Sequence, residues 1–216
     1  MTADTRPTAA VVFDLDGTLV DTMESVPRAY AATIHALGGP VVSPAEIVAA
    51  WHLGPTAVVL AHFLGRPVTP TDVDCYHRYA DAAYATVRPF PGVVPMLDAL
   101  FGDGMRLALY TSATRRSTTG MLAAADLARF FRVVVCGDEV VQPKPAAEGL
   151  LRACQWLSLR PIDTAYVGDA ETDLACADAA GALGIHAAWG ASCVPTGRHL
   201  TASSPADIPR LVVQGG

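Results

Sequence analysis

The chain has 216 residues, 51% of them hydrophobic and 17% charged. That is too apolar for a disordered polypeptide and long enough for one main fold carrying an insertion. The net charge is −6 and the 15 Lys and Arg residues form no basic run, so nothing marks a nucleic-acid or membrane surface, and a small molecule is the expected partner.

In chain order, apolar runs at 10–15, 107–110, 133–136, 165–167 and 185–189 are short and end in polar or glycine residues, the pattern of buried strands. Helix-length segments at 93–101, 117–127, 146–157 and 173–180 lie between most of them, as in parallel strands joined by right-handed crossovers. The predicted class is therefore α/β, with a Rossmann-like parallel sheet.

Residues 22–88 break this alternation with a series of helix signals. Ser43-Pro44-Ala45-Glu46 and Thr69-Pro70-Thr71-Asp72 each combine an N-cap hydroxyl, a proline at the first helical position and an acid that closes the cap. Gly38-Gly39, Gly65 and the 89–92 stretch act as stops, which predicts about four helices. The expected division is an α/β core from 1–21 and 89–216, with an inserted helical cap over 22–88.

Cys75, Cys136, Cys154, Cys176 and Cys193 are odd in number, and no two form a C-x-x-C pair. They read as reduced core residues. Residues 1–9 lack the features of a signal peptide, and no segment approaches the roughly 20 apolar residues of a membrane span. A cytoplasmic protein is expected, in an oligomeric state that the sequence does not set.

The chemistry begins where the first strand ends, at Asp14-Leu15-Asp16-Gly17-Thr18. Two carboxylates one residue apart call for a cation or a shared proton, and the carboxyl ends of strands in open α/β sheets are where ligands bind. An acidic turn that only solvates the strand end is the plainer reading. An EF-hand does not fit, because its glycine comes later in the loop and its flanks are helices.

Three more strand ends are polar. Thr111-Ser112 could hold phosphate oxygens or simply cap a helix. Lys144, between Pro143 and Pro145, could neutralise a phosphoryl group or be a surface lysine. Gly168-Asp169 is followed by Asp173 near a helix start, where capping is the simpler role.

In combination, Asp14 to Thr18, Thr111, Lys144 and Gly168 to Asp173 resemble the four motifs of the haloacid-dehalogenase-like hydrolases, in the phosphoglycolate-phosphatase-like branch. Asp21-Thr22, Pro91-Gly92-Val93, Ala179-Ala180-Gly181 and Trp189-Gly190 extend the likeness over nearly the whole chain. There are departures: Ala147 replaces the second proline of K-P-x-P, and Ser112 stands where many phosphoglycolate phosphatases have Asn. Asp16 argues against carbon–halogen cleavage.

The resemblance implies a first strand flanked by those ending at Thr111 and Asp169. It also implies phosphatase chemistry on a small phosphorylated metabolite, with Asp14 as nucleophile and Asp16 as acid and then base. Mg²⁺ would be held by Asp14, the Asp16 backbone carbonyl and Asp169, with Asp173 orienting waters or Lys144. Thr111, Ser112, Lys144 and the backbone amide near Leu15 would hold the phosphate.

The cap would select substrate, with Arg28, His35, His52, His62, Arg66, His77, Arg78 and Arg88 as candidate contacts. Arg115 and Arg116 are the better-placed cations, beside the proposed phosphate site. The alternatives are an inorganic pyrophosphatase, a phosphosugar mutase or a non-catalytic phosphate-binding module.

Overall fold

The computed structural model describes residues 8–190 and 199–214. Strand β1 (Ala10–Phe13) leaves no side chain exposed. Val11 and Phe13 join one apolar cluster while Ala10 and Val12 join another, because successive side chains point to opposite faces and both faces are covered.

A tight turn leads to β2 (Val20–Asp21), followed by α1 (Ser25–Ala36), α2 (Pro44–Ala50), α3 (Thr56–Leu64) and α4 (Pro70–Tyr84). The chain returns through β3 (Arg88–Pro89), antiparallel to β2 with Val20 opposite Pro89 and Asp21 opposite Arg88. Then come α5 (Val93–Gly102), β4 (Arg106–Tyr110), α6 (Arg115–Ala124), β5 (Val133–Val135), α7 (Glu148–Leu157), β6 (Thr164–Gly168), α8 (Glu171–Ala180), β7 (Leu183–Ala187), β8 (Leu200–Ala202) and α9 (Ile208–Gln214).

The larger sheet is parallel, in the order β5-β4-β1-β6-β7-β8. As expected, β1 lies between the strands that end at Thr111 and Asp169. Strand order reverses there, which opens the crevice where such sheets take ligands.

Both capping boxes form as read. Ser43 Oγ accepts from the Glu46 amide and Glu46 accepts from the Ser43 amide, and Thr69 and Asp72 repeat the arrangement. Each satisfies helix-start amides that would otherwise lack partners. Helix α7 starts at Glu148 rather than near Ala146, because the chain through Lys144-Pro145 stays irregular before it coils. The short ribbon β2/β3 and the final β8 and α9 were not anticipated.

Helix α4 docks on α6. The Tyr84 hydroxyl donates to Ser117 Oγ at 2.8 Å, and Arg116 pairs with Asp81 at 2.9 Å. Side chains of α1, α3 and α4, among them Ile34, Leu60 and Tyr76, belong to the same apolar cluster as Phe13 and Leu109 of the sheet. Each such fully buried side chain contributes about 1.5–3 kcal/mol. Of the cysteines, Cys75, Cys136, Cys154 and Cys176 are free and buried, as expected; Cys193 lies outside the described residues. No described helix is long and apolar enough to cross a membrane.

Candidate active site

Asp14 follows β1 directly, and its amide donates to Val167 O at 2.9 Å, which locks the first motif to β6. Lys144 arrives from the β5–α7 connection. Its Nζ donates to Asp14 Oδ1 at 2.6 Å and to Asp173 Oδ1 at 2.7 Å. The three side chains are 4%, 9% and 2% exposed for Lys144, Asp14 and Asp173, so these are ion pairs shielded from water. Lys144 is the only lysine in the sequence.

The ammonium also lies 5.0 Å from the centre of the Tyr110 ring and 5.4 Å from that of Tyr166. Aromatic faces attract cations, so the lysine is enclosed by two carboxylates and two rings. The Tyr166 hydroxyl lies 2.9 Å from Tyr110 O and 3.2 Å from Asp173 Oδ1, with both as acceptors. Asp173 Oδ2 accepts from the Ala170 amide at 3.1 Å. Asp173 thus fills both roles that the sequence left open, capping α8 and holding Lys144.

Asp169, just past β6, accepts from Thr18 Oγ1 at 3.1 Å, and the Thr18 carbonyl accepts from Trp189 Nε1 at 2.8 Å. Carboxylate oxygens of Asp14, Asp169 and Asp173 lie within 4.8 Å of one another. Three buried carboxylates around one ammonium make an all-oxygen donor set that fits a hard divalent cation such as Mg²⁺.

The charge balance shows in the acidities. Burial pushes Asp14 well above the usual carboxylate range; Lys144 pulls it down, and Asp173 and Asp169 add to the rise. For Lys144 burial acts downward, but the Asp14 and Asp173 carboxylates outweigh it and hold the ammonium above its ordinary value. Burial also raises the Asp16 carboxyl above its ordinary range.

Asp16 sits in the turn after β1, bridged to Val20. The three-carboxylate cluster is formed by Asp14, Asp169 and Asp173, without the Asp16 side chain. Gly17 has φ +80°, a conformation that favours glycine.

Thr111 is buried at the end of β4. Its amide donates to Val135 O at 3.1 Å and its Oγ1 accepts from the Ala113 amide at 3.1 Å, fixing the turn that presents exposed Ser112.

Arg115 and Arg116 are both engaged in ion pairs in this structure. Arg115 forms a forked pair with Glu139, at 2.9 and 2.8 Å, and also donates to Val134 O; Arg116 is turned to Asp81. Of the candidate cations within 22–88, Arg28 pairs with Glu24, Arg66 with Asp72, and Arg88 donates to the carbonyls of Ala85 and Val87.

Sequence reasoning gave no role to Thr18, Tyr110 or Tyr166. Tyr166 was within reach, because residues two apart on a strand share a face, and Tyr166 stands two before Gly168.

Residues 11–187 match the family model described as haloacid dehalogenase-like hydrolase. The chain is 34% identical over 199 residues to a phosphoglycolate phosphatase of Nitrosospira multiformis, covering 88% of this chain and 85% of that one. It is 31% identical over 217 residues to a phosphoglycolate phosphatase of Chromobacterium violaceum, covering 95% and 97%. Its fold is similar to that of CbbY from Rhodobacter sphaeroides, solved in complex with phosphate: the TM-score is 0.83 at 22% identity, with 96% and 99% covered. With a motif order that spans the sheet and a family match over most of its length, the chain belongs to the haloacid dehalogenase-like hydrolases, in their phosphoglycolate-phosphatase-like branch.

Proposed function

We propose that this protein is a Mg²⁺-dependent phosphatase that hydrolyses a small phosphomonoester through a phosphorylated Asp14. The observation that carries this reading is the buried cluster in which Lys144 bridges Asp14 and Asp173 while Asp169 stands beside them.

The carboxylate of Asp14 is the nucleophile, and covalent attachment replaces one difficult displacement by two easier ones. Asp16, its carboxyl raised by burial, protonates the leaving oxygen and then takes the proton of the attacking water. Lys144 and the turn around Thr111 and Ser112 hold the phosphoryl oxygens, and such positioning of charge is the larger part of catalysis in phosphoryl transfer. Asp173 and Tyr166 keep Lys144 aimed at Asp14. Asp14, Asp169 and the Asp16 carbonyl would hold the metal, which supplies positive charge to balance the phosphoryl oxygens.

Residues 22–88 act as a cap that screens the site and selects the substrate. Phosphoglycolate is the first monoester to test, because the relatives are named for it. We place the work in the cytoplasm, where small phosphorylated metabolites are abundant and the four buried cysteines stay reduced.

Phosphate release from a panel of phosphomonoesters and pyrophosphate, with Mg²⁺ or EDTA, tests the reading. Metal-dependent release that disappears in Asp14→Asn is expected. Release from pyrophosphate alone would replace the substrate class, and phosphoryl return to sugar without net release would indicate a mutase.

A further inference from the structure

Lys144 is the crest of an irregular stretch between β5 and α7, and its long stem has several rotatable bonds whose freedom must be restrained before the ammonium can serve. The stretch is tied at its base by Glu148, the first residue of α7. Both oxygens of Glu148 accept from the Val141 amide, at 3.0 and 3.1 Å, and Oε2 accepts from the Gln142 amide at 2.7 Å. Those amides, Val141 first, hold the Glu148 carboxyl below its ordinary range. A first-turn acid ordinarily serves amides of its own helix start. This one reaches backward across the loop that carries Lys144 and ties residues 141 and 142 to the start of α7.

The same helical turn meets the lysine's aromatic surroundings. A Cβ on Gly149 would lie 2.2 Å from the Tyr110 ring, so only glycine lets α7 press against the ring that faces the Lys144 ammonium. On the far side of the loop, Cys176 Sγ donates to Ala146 O at 3.3 Å.

We infer that Glu148 is a positioning residue for Lys144, fixing through the Val141 and Gln142 amides the height at which the ammonium meets Asp14. The inference rests on the assignment of Lys144 to the phosphate site. Misplacing a catalytic group by about 1 Å costs on the order of 100-fold in rate.

Because there is a single lysine, lysine labelled with ¹³C at the ε-carbon gives one resonance that reports Lys144 in the intact chain. That resonance is compared among the native chain, Glu148→Gln and Glu148→Ala, and kcat and KM for p-nitrophenyl phosphate with Mg²⁺ among these and Lys144→Met, which lacks the resonance. In Glu148→Ala the resonance shifts and broadens, and kcat falls by about 10- to 100-fold, more than KM rises. Glu148→Gln lies between, because its carbonyl oxygen still accepts from the loop, and it carries the test if the alanine variant does not fold. Arg160→Ala, which breaks an exposed pair with Asp163, leaves both readouts unchanged.

A native resonance and native kcat in Glu148→Ala, with only a lower melting temperature, would overturn the inference. If Lys144→Met is inactive in that case, the phosphate-site reading stands alone; if Lys144→Met keeps its kcat, that reading falls first.

Discussion

Gly17 lies so close to the Asp169 carboxylate that a Cβ at that position would come within 2.5 Å of Oδ2. The glycine of the first motif is therefore a requirement of the fourth: its missing side chain is the space that the acid from β6 occupies. The left-handed φ at Gly17 adds an independent reason for glycine.

Gly17→Ala should therefore be doubly impaired. The strained backbone costs about 1–2 kcal/mol, and the displaced Asp169 lowers turnover on the order of 100-fold. Turnover measured beside a thermal melt separates the two effects, and a variant with native turnover would show that Asp169 has room to move.

Asp14→Asn removes the proposed nucleophile and one of three crowded carboxylates. Turnover should fall by about 10⁴-fold or more. In EDTA the variant should melt no lower than the native chain, because burial and the neighbouring acids disfavour the charge that is lost. Mg²⁺ should raise the native melting temperature by binding the folded state and raise that of Asp14→Asn by less. Equal shifts would place the ion elsewhere.

Lys144→Met has the opposite effect on the charge. It leaves Asp14 and Asp173 buried without their counter-ion, a loss of about 3–5 kcal/mol, read as a lower urea midpoint in EDTA. Mg²⁺ should recover part of the loss by supplying positive charge to the same carboxylates. A variant as stable as the native chain would show that the acids take up protons without penalty.

Arg66 is linked to Asp72, at the start of α4, at 2.7 and 3.0 Å, and the Thr69 amide and hydroxyl also donate to Asp72. Arg66 first, then Thr69, holds the Asp72 carboxyl far below its usual range. A depressed carboxyl stabilises the fold above its unfolded value, about 3.9, and loses that contribution as pH falls toward the folded value. The gap in urea midpoint between the native chain and Asp72→Asn should be constant near neutrality and narrow below about pH 4. A gap that widens on acidification would reverse the assignment.

The parts of this molecule legible in sequence are those governed by near neighbours. The apolar runs of β1, β4 and β6 announce buried strands, and Ser43 and Thr69 announce helix starts, because capping acts over three residues. The acids Asp14 and Asp169 stood out by their position at strand ends, and Asp173 by its place at the helix start that follows. The ion pairs of Arg115 and Arg116 were not legible, because their partners, Glu139 and Asp81, lie 24 and 35 residues away and only the packing of α6 brings them together. The β2/β3 ribbon has two residues per strand, too few for alternation to register, and β8 at the sheet edge has three. The hold of Glu148 on the Lys144 loop depends on how an irregular stretch folds back, which no periodicity encodes.

With one lysine, enclosed by carboxylates and aromatic rings, every other basic side chain on the chain that stays charged at neutral pH is a guanidinium. Acyl groups, amine-directed cross-linkers and aldehyde fixatives therefore have a single side-chain amine to find, and it is sheltered in the proposed catalytic centre.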